Sequence, residues 1–451
     1  MFRKMRQSVR RLSPAQMIML YYLVAVLIST LMLSLPVCIK EGEKLSFADA
    51  LFTSVSAVSV TGLSTVNISE TFTITGNFVL MFVFQFGGIG IMTLGTFFWL
   101  ILKKKIGLRE RRLIMTDQNQ IGLSGLVKHL KSILVLILLI EMAGAVTLGT
   151  YFLRYYPDWQ EAYLHGLFLS ISATTNAGFD ITGESMIPFA KDYFIQSVTI
   201  ILIISGAIGF PVLIELKEFF KYRNRQNRIR LSLFTKITTV TFMGLLVFGT
   251  LAILLLEANH FFSGMPWHEA FFYSLFQSVS TRSAGLATIE MNELSIPTLM
   301  VVSGLIFIGA SPSSVGGGIR TTTFALNLLF LYHYGKGNRS IKIFRRELME
   351  EDIVKSLVVT IMALILCFVS TMILTITENH ALISIIFEVA SAFGTSGLSM
   401  GITPDLSPIG KTVIMVLMFI GRVGIVSFLV SMAGSQKSSQ YHFPKEKVII
   451  G

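Results

Sequence analysis

The sequence is poor in charged residues and in cysteine. Only 14% of its 451 residues are charged, whereas 53% are hydrophobic and the mean hydropathy is +0.69. Because a soluble domain carries about 25% charged residues, these values exclude an ordinary soluble protein and indicate an integral membrane protein. The two cysteines, Cys38 and Cys367, lie far apart in apolar segments. They therefore give no indication of a disulfide framework or of a cysteine-based metal site.

Catalytic motifs are also missing from the sequence. It has no P-loop, HExxH or GxSxG motif, and its seven histidines are scattered. A membrane enzyme is therefore a weak alternative, and we expect no cofactor bound by this chain itself. The first apolar run, at about residues 17–37, is long and lacks a small-residue cleavage site. We interpret it as a retained helix rather than a signal peptide.

The charge that is present is mainly basic, with a net charge of +11. Most Lys and Arg residues fall in five short segments, at residues 1–11, 103–131, 217–236, 336–355 and 437–447. The positive-inside rule assigns all five segments to the cytoplasm. This topology explains the basic balance, so no nucleic-acid partner is expected. It also predicts a multi-pass protein of the plasma (inner) membrane with both termini in the cytoplasm.

Between these basic segments the chain repeats one unit with a period of roughly 110 residues. Each unit has two long apolar helices around a short stretch that ends in glycine. That stretch offers roughly 12 residues, whereas a full crossing needs about 20, so we predict a half-helix and loop that return to the outer side. The predicted fold is an all-α polytopic membrane protein with eight transmembrane helices, in which four tandem helix–pore loop–helix repeats have a pseudo-fourfold arrangement around one central pore. The predicted repeats are residues 1–110, 111–230, 231–345 and 346–451, the last with a short cytoplasmic tail.

The repeats align on four glycines, each followed by Leu or Phe. Non-helical backbone at membrane depth is tolerated where it is buried in protein or lines a watery cavity, and glycine adopts backbone conformations closed to other residues. Small residues also allow close helix packing, but the fourfold repetition favours a ring of carbonyl oxygens that replaces part of a cation's water shell. Acidic residues on the outer side, such as Asp180, Glu184 and Glu290, should concentrate cations. The predicted ion-binding residues are Val60, Thr61, Gly62, Asn176, Ala177, Gly178, Ser283, Ala284, Gly285, Thr395, Ser396 and Gly397.

The second helix of repeat 3 is too long to be continuous. Residues 297–334 would extend about 57 Å as one helix, against a hydrocarbon core of about 30 Å. The stretch GASPSSVGGGIRTTT, residues 309–323, prevents a regular helix through its proline and three successive glycines. We predict an intramembrane gate loop here, and a simple kink that relieves the length mismatch is the alternative. The candidate gate residues are Gly309, Ala310, Ser311, Pro312, Gly316, Gly317, Gly318 and Arg320.

Three arginines fall at membrane depth: Arg282, Arg320 and Arg422. A charged side chain at the centre of a helix there costs about 2.5 to 3.5 kcal/mol, so Arg422 should face either the pore or a carboxylate. The alternative to a pore-facing role is an ion pair with Glu141 or Glu388. Arg282 is placed to brace the filter, and Arg320 to bind a carboxylate or an anionic lipid.

The repeated helix, pore loop and helix, with SVTGL, TNAGF, RSAGL and GTSGL at the loops, resembles the Trk/Ktr/HKT superfamily of potassium transporters. The resemblance covers almost the whole chain and is strongest to the bacterial Ktr membrane subunit, of the KtrB or KtrD type. It implies K+ uptake through a four-glycine selectivity filter, with Gly62 matching the potassium type. It also implies an intramembrane gate and a role for Arg422 as a positive barrier in the pore.

The same resemblance implies the partners. They are the potassium ion, membrane lipid, a second copy in a homodimer with one pore per protomer, and a cytosolic RCK-type nucleotide-binding ring of the KtrA or KtrC type. ATP or ADP is expected on that ring and not on this chain. Coupling of K+ to Na+ is left open. An ion-coupled secondary symporter of another solute is the alternative function, although half-helices with their partially negative C-terminal ends at the centre favour cations.

Overall fold

The computed structural model describes residues 13–90, 126–222, 231–338, 340–425, 427–429 and 446. Within these residues the protein is helical, apart from one two-stranded hairpin. The predicted repeat boundaries near residues 110 and 230 lie outside the described residues. So do the N-terminal basic segment and most of the basic segments at 103–131 and 437–447.

The first half of the chain begins with α1 (Pro14–Leu33), which starts at a capping box: Ser13 and Gln16 exchange side-chain to backbone hydrogen bonds. A short helix follows, whose first turn is capped by Ser46 through the Asp49 N–H. The helices of predicted repeats 1 and 2 are α1 (Pro14–Leu33), α2 (Phe47–Ser59), α3 (Ile68–Thr71), α4 (Ile74–Ile89), α5 (Leu126–Phe152), α6 (Trp159–Thr175), α7 (Tyr193–Ala207) and α8 (Phe210–Tyr222), with 3-10 turns at Pro36–Cys38 and Ile187–Phe189.

The second half has the same order of a long helix, a short helix and an interrupted helix. After the interrupted helix of predicted repeat 3 the chain forms an antiparallel hairpin in which Lys342 pairs with Glu347. The elements are α9 (Leu233–Glu257), α10 (Trp267–Ser280), a 3-10 turn (Met291–Glu293), α11 (Ile296–Ile308), α12 (Thr321–Gly335), β1 (Lys342–Ile343), β2 (Arg346–Glu347), α13 (Glu350–Thr377), α14 (Leu382–Gly394) and α15 (Pro408–Val423).

Four helices in the described part of the chain are long and apolar enough to cross a membrane: α1, α5 from Leu130, α9 and α13. The bent pair of α7 and α8 counts as a fifth if it is one span, and α2, α4, α11 and α14 are shorter apolar helices. Large apolar side chains of α13, such as Phe368 and Ile376, are exposed, as expected for a surface that faces lipid. The chain is a membrane protein, and the total of eight spans stays a prediction.

Helices α4, α7, α11 and α15 each end within two residues of a glycine with positive φ. The prediction of two long apolar helices in each repeat was therefore wrong for the second helix of repeats 2 and 4. The chain bends by 106° between α7 and α8, and α15 ends at Val423. Left-handed backbone of this kind favours glycine because other residues carry a Cβ. The four glycines, with their φ values, are Gly90 (97°), Gly209 (102°), Gly309 (71°) and Gly424 (89°).

The helices pack in a closed cycle. Helix α4 contacts α6, α7 contacts α10, α11 contacts α14, and α15 contacts α2. In the first three pairs a helix of one predicted repeat lies against the short helix of the next repeat. The fourth pair closes the cycle, because α15 of the last repeat lies against α2 of the first. Phe84 of α4 and Phe168 of α6 illustrate the packing, with buried rings 5.7 Å apart in an edge-to-face arrangement.

Candidate functional site

The four short helices α2, α6, α10 and α14 are each followed by a sharp turn. In every turn the residue two positions before the aligned glycine has left-handed backbone, and so has the glycine itself. Non-glycine residues in this region cost about 1 to 3 kcal/mol and persist where the surroundings enforce them. The φ values are Val60 58°, Gly62 94°, Asn176 52°, Gly178 71°, Ser283 67°, Gly285 73°, Thr395 46° and Gly397 87°.

Backbone hydrogen bonds fix three of these turns in the same way. The N–H of Thr61 donates to the Ser56 carbonyl at 2.8 Å, and Ala177 donates to Ser172 at the same distance. Ser396 donates to the Ser391 carbonyl at 2.9 Å. This pattern satisfies helix-end carbonyls through a residue in the left-handed conformation. These three short helices therefore end with the same hydrogen-bond pattern.

The four aligned glycines touch one another in a closed ring, which we call the glycine ring. A methyl group on Gly62 would lie 2.6 Å from the Ala177 carbonyl oxygen and 2.8 Å from the Gly178 Cα atom. One on Gly178 would lie 3.1 Å from both the Ala284 carbonyl oxygen and the Gly285 Cα atom. One on Gly285 would overlap the Ser396 carbonyl, and one on Gly397 would overlap the Thr61 carbonyl. A side chain would therefore clash with backbone at Gly62, Gly285 and Gly397, and it would be tight at Gly178.

Side-chain oxygens next to the ring fall into two groups. Thr61 and Ser283 are held by hydrogen bonds, the first to the Ser59 hydroxyl at 2.7 Å and the second to the Gly394 carbonyl at 2.8 Å. By contrast, Asn176 Oδ1, Thr395 Oγ1 and Ser396 Oγ are buried and have no hydrogen-bond partner among the described residues. A buried polar atom without a partner costs about 1 to 3 kcal/mol. These three oxygens are therefore available as additional cation ligands.

One face of the glycine ring opens into a cavity of about 560 Å³, which all four glycines line. Asp180, Glu184 and Glu290, three of the acidic residues predicted for the outer side, also line it. Carboxylates around a concave opening raise the local cation concentration. The described residues contain no cluster of three or more His, Cys, Asp or Glu side chains that could hold a metal ion.

The loop between α11 and α12 covers residues 309–320, and we call it the 309–320 loop. It is three residues shorter than predicted, because Thr321–Thr323 form the first turn of α12. The loop packs directly against two of the turns: a methyl group on Gly316 would lie 2.6 Å from Ser283 Cβ, and one on Gly317 would lie 2.6 Å from Thr395 Oγ1. It does not line the acidic cavity.

The break between α7 and α8 holds the 309–320 loop through backbone hydrogen bonds. Ser311 N–H donates to the Ala207 carbonyl at 3.0 Å, and Phe210 N–H donates to the Ser313 carbonyl at 2.9 Å. Val315 N–H donates to Gly206 at 3.3 Å. A continuous helix would use these groups internally. The bend thus supplies the partners that an irregular buried loop requires.

All three arginines at membrane depth bind carbonyl oxygens of the 309–320 loop. Arg282 donates to Gly309 at 3.3 Å, and Arg320 donates to Ser311 at 3.3 Å and to Gly316. Arg422 donates to Val315, and also to the last carbonyls of α4, at Gly87 and, at 3.0 Å, Gly88. None of the three forms an ion pair within the described ranges.

The alternative of an ion pair from Arg422 to Glu141 or Glu388 was therefore wrong. Glu141 accepts a hydrogen bond from Gln85 at 2.7 Å, and Glu388 accepts hydrogen bonds from the hydroxyls of Ser399 and Thr403. Arg422 lines a cavity of about 230 Å³ together with Arg320 and residues of the 309–320 loop. Its partners are carbonyl oxygens of the loop and of the end of α4, which a sequence pattern does not reveal.

The chain matches the family model described as TrkH, cation transport protein, over residues 3–441. A match of this extent shows that the chain belongs to this family of cation transport proteins, as the motifs at the four loops indicated. It is a transport protein and not an enzyme.

Individual relatives are similar over the full length. The chain is 60% identical over 448 residues to the Ktr system potassium uptake protein D of Bacillus subtilis, covering 99% of each chain. It is 34% identical over 445 residues to protein B of the same system and organism, covering 98% of this chain and 97% of that one. The crystal structure of the potassium transporter TrkH from Vibrio parahaemolyticus matches with a TM-score of 0.70 at 22% identity, over 91% of this chain and 84% of that chain, which shows a common fold.

Proposed function

We propose that this protein takes up K+ across the plasma membrane and that the glycine ring is its selectivity filter. The contacts that close the ring through Gly62, Gly178, Gly285 and Gly397 carry the proposal. Carbonyl oxygens of adjacent loops at such a ring replace part of the water shell of a cation. The relatives that cover the whole chain are named potassium uptake proteins, which supports K+ as the transported ion.

The proposed architecture is four repeats of common orientation around one pore, at residues 1–110, 111–230, 231–345 and 346–451. Eight helices would cross the membrane, with both termini in the cytoplasm. The cyclic packing of α4 on α6, α7 on α10, α11 on α14 and α15 on α2 supports this arrangement. The acidic cavity would then be the outer mouth of the pore.

The proposed gate is the 309–320 loop, which blocks the pore on the side away from the acidic cavity. Its contacts with Ser283 and Thr395 support this role, and so do the hydrogen bonds that it receives from three arginines. A kink that merely shortens a helix needs neither set of contacts. Arg422 would act in two ways, as a positive barrier to cations and as a group that holds the loop closed.

The proposed partners act at the cytoplasmic side. A cytosolic RCK-type ring that binds ATP or ADP would contact the hairpin of β1 and β2, which directly follows α12 and could therefore move the gate. Two relatives are named as proteins of a Ktr system, which supports the presence of partner components. Homodimerisation, contact with anionic lipid and a role for Na+ are further parts of the proposal. One relative, at 33% identity, is named potassium/sodium uptake protein NtpJ of Enterococcus hirae.

Flux measurements on purified full-length protein in vesicles test the proposed filter. K+ and Na+ gradients are imposed separately, without any other solute, so that K+ flux alone excludes an obligatory symporter. Gly62→Ser should lower the preference for K+ over Na+, because a side chain cannot fit beside Gly178. Gly244→Ser is the matched control, since no atom lies within 4 Å of a methyl group at that position. An unchanged ion preference in Gly62→Ser would reject the glycine ring as the filter.

A further inference from the structure

Arg282 is a fully buried arginine without a carboxylate partner among the described residues. Its guanidinium donates to the Gly309 carbonyl at 3.3 Å and to the Thr281 hydroxyl at 3.2 Å, while Nε has no partner in the described part of the chain. Burying a charge with such limited compensation is expensive. A neutral side chain would fill the space at lower cost, so packing alone does not account for an arginine here.

The position of Arg282 joins two parts of the site. It directly precedes Ser283, the residue with left-handed backbone in the third turn. The carbonyl that it binds belongs to Gly309, where α11 ends and the 309–320 loop begins. The side chain thus connects the base of the loop to the turn that carries Gly285.

A second contact connects the same two parts. The backbone of Gly316, in the middle of the 309–320 loop, packs against the Ser283 side chain. A backbone hydrogen bond also joins the two parts of the loop that make these contacts. The N–H of Ala310, which follows Gly309, donates at 3.3 Å to the carbonyl of Gly317, which follows Gly316. Displacement of the loop would therefore remove a hydrogen bond from Arg282 and a packing contact from Ser283 together.

The link continues into the second turn. Asn176 Nδ2 donates to the Arg282 carbonyl at 3.4 Å, and Asn176 precedes Gly178 by two residues. Arginine suits this junction, because its planar fork can reach two acceptors at once whereas a lysine offers a compact charge.

We propose that Arg282 is a positioning residue that couples the 309–320 loop to the glycine ring, so that the position of the loop sets the cation selectivity of the ring as well as the rate of flux. This inference rests on the proposed function. When the loop is displaced, the third turn loses its contacts with Gly309 and Gly316, and the ring becomes less selective for K+ over Na+.

The test measures the ratio of K+ to Na+ flux, and total flux separately, in vesicles that contain full-length protein. The variants are Arg282→Gln, Arg282→Lys and a deletion of residues 313–317, alone and combined with Arg282→Gln. Lys411→Gln is the matched control, because it also removes one positive charge, and Lys411 pairs with Asp49 at 3.1 Å instead of binding the 309–320 loop. Thr281→Val is a milder variant, which removes one acceptor of the guanidinium and keeps the arginine.

We expect Arg282→Gln and the deletion each to lower the K+ to Na+ ratio by about fivefold or more, the lower range of coupling between sites. The double variant should be no less selective than either single variant, since both changes break the same link. Arg282→Lys should give a smaller loss, and Lys411→Gln should keep the parental flux and the parental ratio.

The inference is overturned if folded Arg282 variants keep the parental ratio, or if the losses from Arg282→Gln and the deletion multiply in the double variant. Where Arg282→Gln and Arg282→Lys do not fold, the ratio in Thr281→Val decides: an unchanged ratio rejects the coupling. Gly62→Ser distinguishes a failure of the proposed filter from a failure of the proposed coupling. If it changes the ratio and the Arg282 series does not, the filter stands and only the coupling fails.

Discussion

Arg422 donates a hydrogen bond to the carbonyl oxygen of Val315, which joins α15 to the middle of the 309–320 loop. The same guanidinium binds the last carbonyls of α4. One side chain thus connects three elements that are far apart in the sequence. The loop is held from the fourth predicted repeat as well as from its own.

Replacing Arg422 by Gln should increase K+ flux. The variant loses charge-assisted hydrogen bonds, each worth about 1.5 to 3 kcal/mol, and removes a positive charge from the cavity that Arg422 lines. We expect flux to rise about tenfold, the change that 1.4 kcal/mol produces in an equilibrium. The measurement is K+ uptake by a transport-deficient bacterium and by vesicles.

The matched control for that variant is Lys411→Gln. Lys411 lies on the same helix and pairs with Asp49 at 3.1 Å, away from the loop. Its flux should equal that of the parent protein. A fall or no change in flux in a stable Arg422→Gln protein would contradict the idea that Arg422 holds the loop closed.

Deleting Ser313 to Gly317 should raise flux and weaken the dependence on a cytosolic partner. The deletion removes the carbonyl that binds Arg422 and the backbone that packs against Thr395. The measurement is K+ flux with and without the nucleotide-binding ring. Deletion of Glu41–Glu43, an exposed turn near the end of α1, is the control and should leave both quantities unchanged. Parental flux with full partner dependence would favour the kink interpretation of the loop.

Much of the architecture could be predicted because it depends on composition and repetition. Long apolar runs and four aligned glycines are visible in the sequence, and the family resemblance is confirmed. The helix ends near Gly90, Gly209 and Gly424 were missed, since an isolated glycine costs a helix only about 1 kcal/mol and is often tolerated. The partners of Arg422 were missed for a related reason: backbone carbonyls exist at every residue, and tertiary structure alone selects which ones are free. The roles of the glycine ring and of the loop stay predictions.

Charge reversal of Arg345 and Arg346 to Glu should lower ATP-dependent activation by the cytosolic ring without affecting membrane insertion. The hairpin turns through Phe344 and Arg345, which both have positive φ, at 50° and 62°, and Phe344 is exposed. An aromatic and basic tip directly after α12 suits contact with a protein. Flux of the reconstituted protein, with and without the ring, gives the measurement.

The double reversal changes both the charge of the hairpin and a residue with positive φ in its turn, so a second variant must separate these two effects. Arg345→Asn serves this purpose, because asparagine tolerates left-handed backbone and the variant removes only one charge. It should retain more activation than the double reversal. If the double reversal responds to nucleotide like the parent protein, the hairpin is not on the coupling path and its charges serve topology and lipid contact.

Substitution of Gly209 by Ala should loosen the 309–320 loop. Gly209 has φ of 102°, and a methyl group there would lie 2.8 Å from the Pro312 carbonyl oxygen. Strained backbone costs about 1 to 3 kcal/mol, and the break must shift to relieve it. The shift displaces Ala207 and Phe210, whose backbone groups bind Ser311 and Ser313 of the loop. We therefore expect higher K+ flux together with a lower unfolding temperature.

Gly244→Ala provides the matched control for Gly209→Ala. This glycine lies within α9, where a methyl group meets no atom within 4 Å, so alanine should stabilise the helix by about 0.5 to 1 kcal/mol and leave flux unchanged. Thermal unfolding in detergent and K+ flux in vesicles distinguish the two variants. If Gly209→Ala is destabilised but conducts like the parent protein, the bend between α7 and α8 supports the fold without holding the loop. If flux rises in Gly209→Ala and not in Gly244→Ala, the second predicted repeat takes part in closing the pore. The substitution lies at the bend between α7 and α8, whose backbone groups bind the 309–320 loop.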